Sequence, residues 1–163
     1  ISGAMGCALG QMAAGISLRS KKLDEAHRPS LVRTSARLGE LRGELQNCAA
    51  EDSLAFEGYM KALKIPKEDP SRKAELQKAL MHGMEVPLRT ARTAAAALKE
   101  LGRCPGIAPH VMSDYKSAVY LLEAAVKCAA ENVYINAGSL EDKTAARKMV
   151  EEARGCVSPA VPA

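Results

Sequence analysis

An all-α bundle of about five helices follows from three observations on the sequence. Apolar residues recur at spacings of three and four over long stretches, and no stretch alternates with period two. The apolar share comes mostly from Ala, Leu, Val and Met. Aromatics are scarce, with one Phe, four Tyr and no Trp, whereas a β-sandwich needs aromatic and β-branched residues. At 163 residues the chain can build one core, expected as a single helical domain over 1–155 with a loose tail over 156–163.

Each helix has its own signals. The first is expected from about Gly3 to Ser20, with Arg19, Lys21 and Lys22 as cations at its C-terminal end. Pro29 suits the first turn of a second helix, which then meets no breaker until Ile65-Pro66 and so covers about 30–63. Asp69-Pro70 reads as the start of a third helix. Pro87 falls inside its pattern and predicts a kink near Val86, followed by an Ala-rich run from Thr90 to Leu98 suited to close contact. Two glycines and two prolines make 102–109 a loop. Ser113 and Asp114 open a fourth helix to about Asn136, and Glu141 to Arg154 form an amphipathic fifth.

Residues 1–18 carry no charge, which raises a membrane span. Glycines 3, 6, 10 and 15, with Ser2, Gln11 and Ser17, make the stretch too weakly hydrophobic for one. No basic region precedes it as in a secretory signal. Gly6 and Gly10 lie four apart, the spacing that lets another helix approach closely, so a buried packing helix is the expectation and a membrane partner is not. The net charge of +4 comes from Lys and Arg interspersed with Glu and Asp. That pattern fits an anionic small molecule and argues against nucleic acid. Cysteines 7, 48, 104, 128 and 156 form no close pairs, and His27, His82 and His110 are scattered. Reduced thiols, no metal, and a cytoplasmic or organelle-matrix setting are the simplest reading.

Asp52 is the most conspicuous residue. The expected apolar stripe of the second helix runs Leu31, Thr34, Leu38, Leu41, Leu45, Cys48, Asp52, Phe56, Tyr59, Leu63. A carboxylate on such a face must be paired, protonated or lining a cavity. Burial would raise its pKa toward the range useful for proton transfer. Pairing to a neighbouring helix and catalysis both stand on these residues alone. Glu51, about 100° away around the helix, is expected to face solvent. No nucleotide-binding, zinc-protease, serine-hydrolase or calcium-loop motif is present.

Five blocks in order, ISGAMGCALGQM…SKK, EDSLAFEGYMKALKIPK, EVPLRTA, VMSDYKSA and ENVYINAGSLED, resemble the cyclodeaminase/methenyltetrahydrofolate cyclohydrolase family from about Ile1 to Asp142. The domain is also fused to formiminotransferase in vertebrates. The resemblance implies an all-helical homodimer acting on the N5/N10 one-carbon bridge of a tetrahydrofolate. One family reaction closes 5-formimidoyl-tetrahydrofolate to the methenyl form with loss of ammonia, and the other hydrolyses the methenyl bridge to 10-formyltetrahydrofolate. The family's catalytic aspartate matches Asp52. Asp114, Asn132, Asn136 and Tyr59 become candidates for the pterin, and Lys21 and Lys22 for the anionic glutamate tail. Each also has a structural reading: helix-start acid, amide cap, core filler or solvated cation. No cofactor beyond the folate substrate is implied.

The resemblance has gaps. The family's Pro-Gly-Gly-Gly-Ser loop, which precedes the first block in relatives, is not in this sequence, and Ile107 to His110 replace a Gly-Asn-rich stretch. These departures raise the expectation of an N-terminally truncated piece. They also supply a second reading, a non-catalytic dimerisation or scaffold module in a larger assembly.

Overall fold

All five expected helices are present, with ends shifted by a few residues. A computed structural model describes residues 1–157. It contains α1 (Ser2–Leu18), α2 (Arg28–Leu63), α3 (Arg72–Gly102), α4 (Met112–Ala137) and α5 (Lys143–Val157), with single 3-10 turns at Glu25–His27 and Pro109–Val111. No strand occurs among the described residues, and no helix there is long and apolar enough to cross a membrane.

The shifted ends have local causes. The α3 start moves to Arg72 because the Asp69 carboxylate accepts from the Ser71 N–H at 2.8 Å and its hydroxyl at 2.7 Å, closing a turn first. Asp142 accepts from the N–H groups of Thr144 and Ala145 at 3.0 and 2.9 Å and so caps α5 two residues later than expected. At the other end α5 continues through Cys156 and Val157, which the sequence reading had given to the tail. The remainder of that expected tail, 158–163, lies outside the described residues. Pro87 stays inside α3 without ending it.

The helices form a ring in which α1 packs on α2, α2 on α3, α3 on α4, and α4 back on α1, while α2 and α4 stand diagonally opposite. α5 lies outside, against α3 and α4. Two cores result. Cys7, Leu38, Leu41, Leu45, Ala97, Leu101 and Leu122 fill the level where all four helices surround the axis. Met84, Leu88, Ala130, Val133, Leu140, Ala146 and Ala153 fill the space between α3, α4 and α5.

The glycines of α1 are used for close approach. A Cβ at Gly6 would lie 2.8 Å from Leu122 Cγ and 3.0 Å from the Ala118 carbonyl oxygen, and one at Gly10 would meet Leu38 and Leu101 at 3.0 Å. At the far end of the helix, the buried Ser17 hydroxyl donates to the Ala13 carbonyl at 2.8 Å. It also accepts from the Ala108 N–H at 2.9 Å, fastening the α3–α4 loop to α1.

Along α2 the buried positions are Leu31, Thr34, Leu38, Leu41, Leu45, Cys48, Ala55 and Ala62. With Asp52 and Tyr59 these form an unbroken alternation of three and four, the seam of a left-handed helix pair. The expected stripe therefore needs correcting after Asp52. Phe56 and Leu63 are exposed, and the smaller Ala55 and Ala62 take the seam. Strict alternation, rather than hydrophobicity residue by residue, decides which side faces inward.

Gly6→Ala is expected to destabilise the fold by about 1–3 kcal/mol, because the added methyl meets a main-chain oxygen that cannot step aside. Gly58→Ala, on an open face of the same bundle with nothing within 4 Å, should stabilise it by about 0.5–1 kcal/mol in the same urea titrations. Burial pushes the Cys7 thiol from 9.0 up to about 11. A folded value above the unfolded one means this contribution is complete below pH 9 and is lost as pH rises through 11. Stability measured across that window should fall, with roughly 2–3 kcal/mol of the fall absent in Cys7→Ala.

Candidate functional site

Where the α2 seam changes from leucine to alanine, the helices enclose space instead of filling it. A cleft of about 410 Å³ is walled by Asp52, Ala55, Phe56 and Tyr59 of α2, Ala79, Leu80, Gly83 and Pro87 of α3, and Asn132, Ile135, Asn136 and Ser139 at the end of α4. Small-molecule sites take about 300–1,000 Å³. A second hollow of about 470 Å³ adjoins it, bordered by Ile1, by Ser2 and Gly3 of α1, Cys48 and Ser53 of α2, Thr90 of α3, and Cys128 of α4. Asp52, Pro87 and Asn132 line both. Asp52 thus stands at the junction of one continuous groove.

The structure corrects the setting expected for Asp52. It is exposed rather than buried, so desolvation is not what equips it. No described residue pairs with its carboxylate. The basic partner at this level goes instead to Glu51, expected in solvent. Arg89 of α3 donates to the Glu51 carboxylate through Nη2 and to the buried Cys48 thiol through Nε at 3.4 Å. The guanidinium between them is held more firmly charged by these two bonds, first the one to Cys48 and then the one to Glu51. With Arg89 engaged on either side, Asp52 keeps both oxygens for a ligand or water.

The apolar lining of the cleft comes from Ala55, Ala79, Leu80 and the exposed Ile135, and its polar side chains come from α2, from α4 and from Ser139 just beyond it. Tyr59, half-buried, places its ring on the wall. Asn132 donates through Nδ2 to the Cys128 carbonyl of its own helix at 2.9 Å. Asn136 donates through Nδ2 to the Gly83 carbonyl of α3 at 2.9 Å. Among the described residues no group of three or more His, Cys, Asp or Glu side chains is arranged for a metal ion.

Four expected site residues, Asp52, Tyr59, Asn132 and Asn136, therefore converge on one cleft although they come from different helices. The other three are not brought to it. Asp114 is a first-turn acid of α4, and 18 residues of helix, about 27 Å, separate it from Asn132. Lys21 and Lys22 lie exposed in the turn after α1, at the opposite end from Ile1–Gly3, which border the groove. Arg89 was missed. Its meeting with Glu51 and Cys48 is set by how α2 and α3 align, a tertiary match with no local signal.

Comparison with known proteins bears on this groove. A family model described as formiminotransferase-cyclodeaminase matches residues 1–155. A methenyltetrahydrofolate cyclohydrolase from Methylorubrum extorquens is 33% identical over 170 residues, covering 98% of this chain and 79% of that protein. A formimidoyltransferase-cyclodeaminase from Sus scrofa is 34% identical over 146 residues, and this stretch spans 26% of its length. Among solved structures, a formiminotetrahydrofolate cyclodeaminase from Thermotoga maritima superposes with a TM-score of 0.82 at 30% identity, covering 96% of this chain and 79% of that one.

Proposed function

The chain belongs to the formiminotransferase-cyclodeaminase family, and from that premise we propose that its groove carries out chemistry on the N5/N10 one-carbon bridge of a tetrahydrofolate, with Asp52 as the proton carrier. It is a folate one-carbon enzyme of the cyclohydrolase or cyclodeaminase kind. The observation that carries the role of Asp52 is its place: an unpaired carboxylate at the junction of two hollows, with the neighbouring guanidinium committed elsewhere.

Both reactions ask the same thing of such a group. In bridge hydrolysis, water adds to the methenyl carbon while a base takes its proton. The C–N5 bond of the tetrahedral adduct then breaks as a proton reaches N5, leaving the formyl group on N10. In ring closure, N10 attacks the formimidoyl carbon and the amino group leaves as ammonia after gaining a proton. Asp52 takes the first proton and returns one to the departing nitrogen, which is general base and then general acid catalysis by a single carboxyl. Tyr59, Asn132 and Asn136 hold the pterin in the adjoining cleft. No further cofactor enters either step. Asp114, Lys21 and Lys22 have no part in this scheme within one chain.

A homodimer belongs to the same proposal. Ile1, Met5, Ala8 and Met12 recur at three and four along the outer side of α1, and Ile1, Met5 and Met12 are 88%, 56% and 44% exposed. A helix without a charged residue is built for burial on every side. The shallow trough between this stripe and Arg42, Gln46 and Ala49 of α2 suits a second copy. The five free thiols fit a reducing compartment, the cytoplasm or an organelle matrix.

Asp52→Asn should lower kcat at least about 100-fold for whichever reaction the protein runs, followed by the near-ultraviolet absorbance of methenyltetrahydrofolate. Full retention of activity removes Asp52 from the mechanism. In sedimentation, the wild-type chain should run at twice its 17.3 kDa, and Met5→Asp with Met12→Asp should return it to a single chain. A wild-type monomer refutes the dimer.

A further inference from the structure

Pro87 leaves a gap in the hydrogen bonding of α3. An α-helical residue 87 would donate its N–H to the carbonyl of Gly83, four residues back, but proline has no N–H to give. A carbonyl left without a partner in a partly buried setting is costly, and Asn136 of α4 supplies the missing donor at 2.9 Å. The orientation of that amide is therefore not free. A carbonyl only accepts, so the nitrogen must face Gly83, which fixes Oδ1 as the acceptor left for a ligand beside the second N–H of Nδ2. Gly83, Pro87 and Asn136 all line the same cleft.

One turn earlier, Asn132 Nδ2 donates to the Cys128 carbonyl of its own helix, which leaves Oδ1 as the acceptor of that amide. With the Asp52 carboxylate, three hydrogen-bond acceptor groups border one cleft, and the Tyr59 hydroxyl stands on its wall as a donor. Such a surface favours a ligand that brings N–H groups to the acceptors.

We infer that Pro87 and Asn136 act together as a specificity device: the proline orphans the Gly83 carbonyl, that carbonyl pins the Asn136 amide, and the pinned oxygen receives the N–H edge of the ligand's 2-amino-4-oxopyrimidine ring. The inference rests on the folate reading of the cleft and adds to it which edge of the pterin enters first. Asn136 is the specificity residue, and Pro87 is a positioning residue that acts through it. Neither role concerns proton transfer at Asp52.

The test is a cycle of variants in the full chain, read by thermal melting and by calorimetric titration with tetrahydrofolate under argon. Pro87→Ala restores a main-chain donor for Gly83. Asn136→Leu should lower the melting temperature by several degrees in the native background and by less than half as much in the Pro87→Ala background. Equal losses in both backgrounds overturn the pinning. In the Pro87→Ala background, Asn136→Leu should weaken tetrahydrofolate binding roughly tenfold, the worth of one good hydrogen bond. Asn136→Asp, which keeps an acceptor, should recover most of that loss. Identical binding by Pro87→Ala with and without Asn136→Leu overturns the ligand role. No binding by the native chain defeats the folate reading and the ligand role together, while the melting cycle still decides the pinning by itself.

Discussion

The alternation of three and four along α2 governs the rest of the structure. Where the seam carries Leu38, Leu41 and Leu45, the ring of helices closes on a filled core. Where it carries Ala55, the same backbone spacing leaves room, because helix axes cannot follow every change of side-chain size. The groove is thus a consequence of composition along one helix face, not of an inserted loop. Asp52 falls at the change from one regime to the other, which is why it meets both a packed helix pair and open space.

The polar chemistry around it is arranged by exclusion. Arg89 of α3 is occupied by Glu51 and Cys48, and no described cation pairs with the Asp52 carboxylate one residue along α2. One N–H of each of the Asn132 and Asn136 amides is claimed by a main-chain carbonyl, which leaves both Oδ1 atoms as acceptors. With the Asp52 carboxylate they border the cleft beside the apolar Ala55, Ala79 and Leu80.

Much of this was legible from the residues alone, and the misses share a physical origin. Helix number and order followed from spacing and from Pro and Gly punctuation, and the blocks around Asp52, Asn132 and Asn136 pointed to the family. The stripe went wrong at Phe56 and Leu63 because a large apolar side chain was preferred to an alanine. Packing geometry favours the alanine when the helix pair must keep its register. Glu51 and Arg89 were not joined because their meeting depends on how α2 and α3 align, which local patterns do not encode. Lys21 and Lys22 are helix-end cations by sequence, and only the antiparallel course of the ring shows that their end is the one remote from the groove. The Asn136 bond was foreshadowed by Pro87, since a proline inside a helix always leaves one carbonyl to be satisfied. Which residue answers it is a matter of tertiary structure.

The order of helices in the ring also shapes how the chain can be made. Neighbours in the ring are neighbours in sequence except at the joint between α1 and α4. Four of the 17 residues of α1 are glycine, each costing up to about 1 kcal/mol of helix propensity against alanine, so this segment gains little order by itself. Its Gly6 surface fits Leu122, which a ribosome adding about 5–20 residues per second delivers roughly 6–23 s later. During that interval an uncharged, apolar segment waits for the partner that its glycines fit.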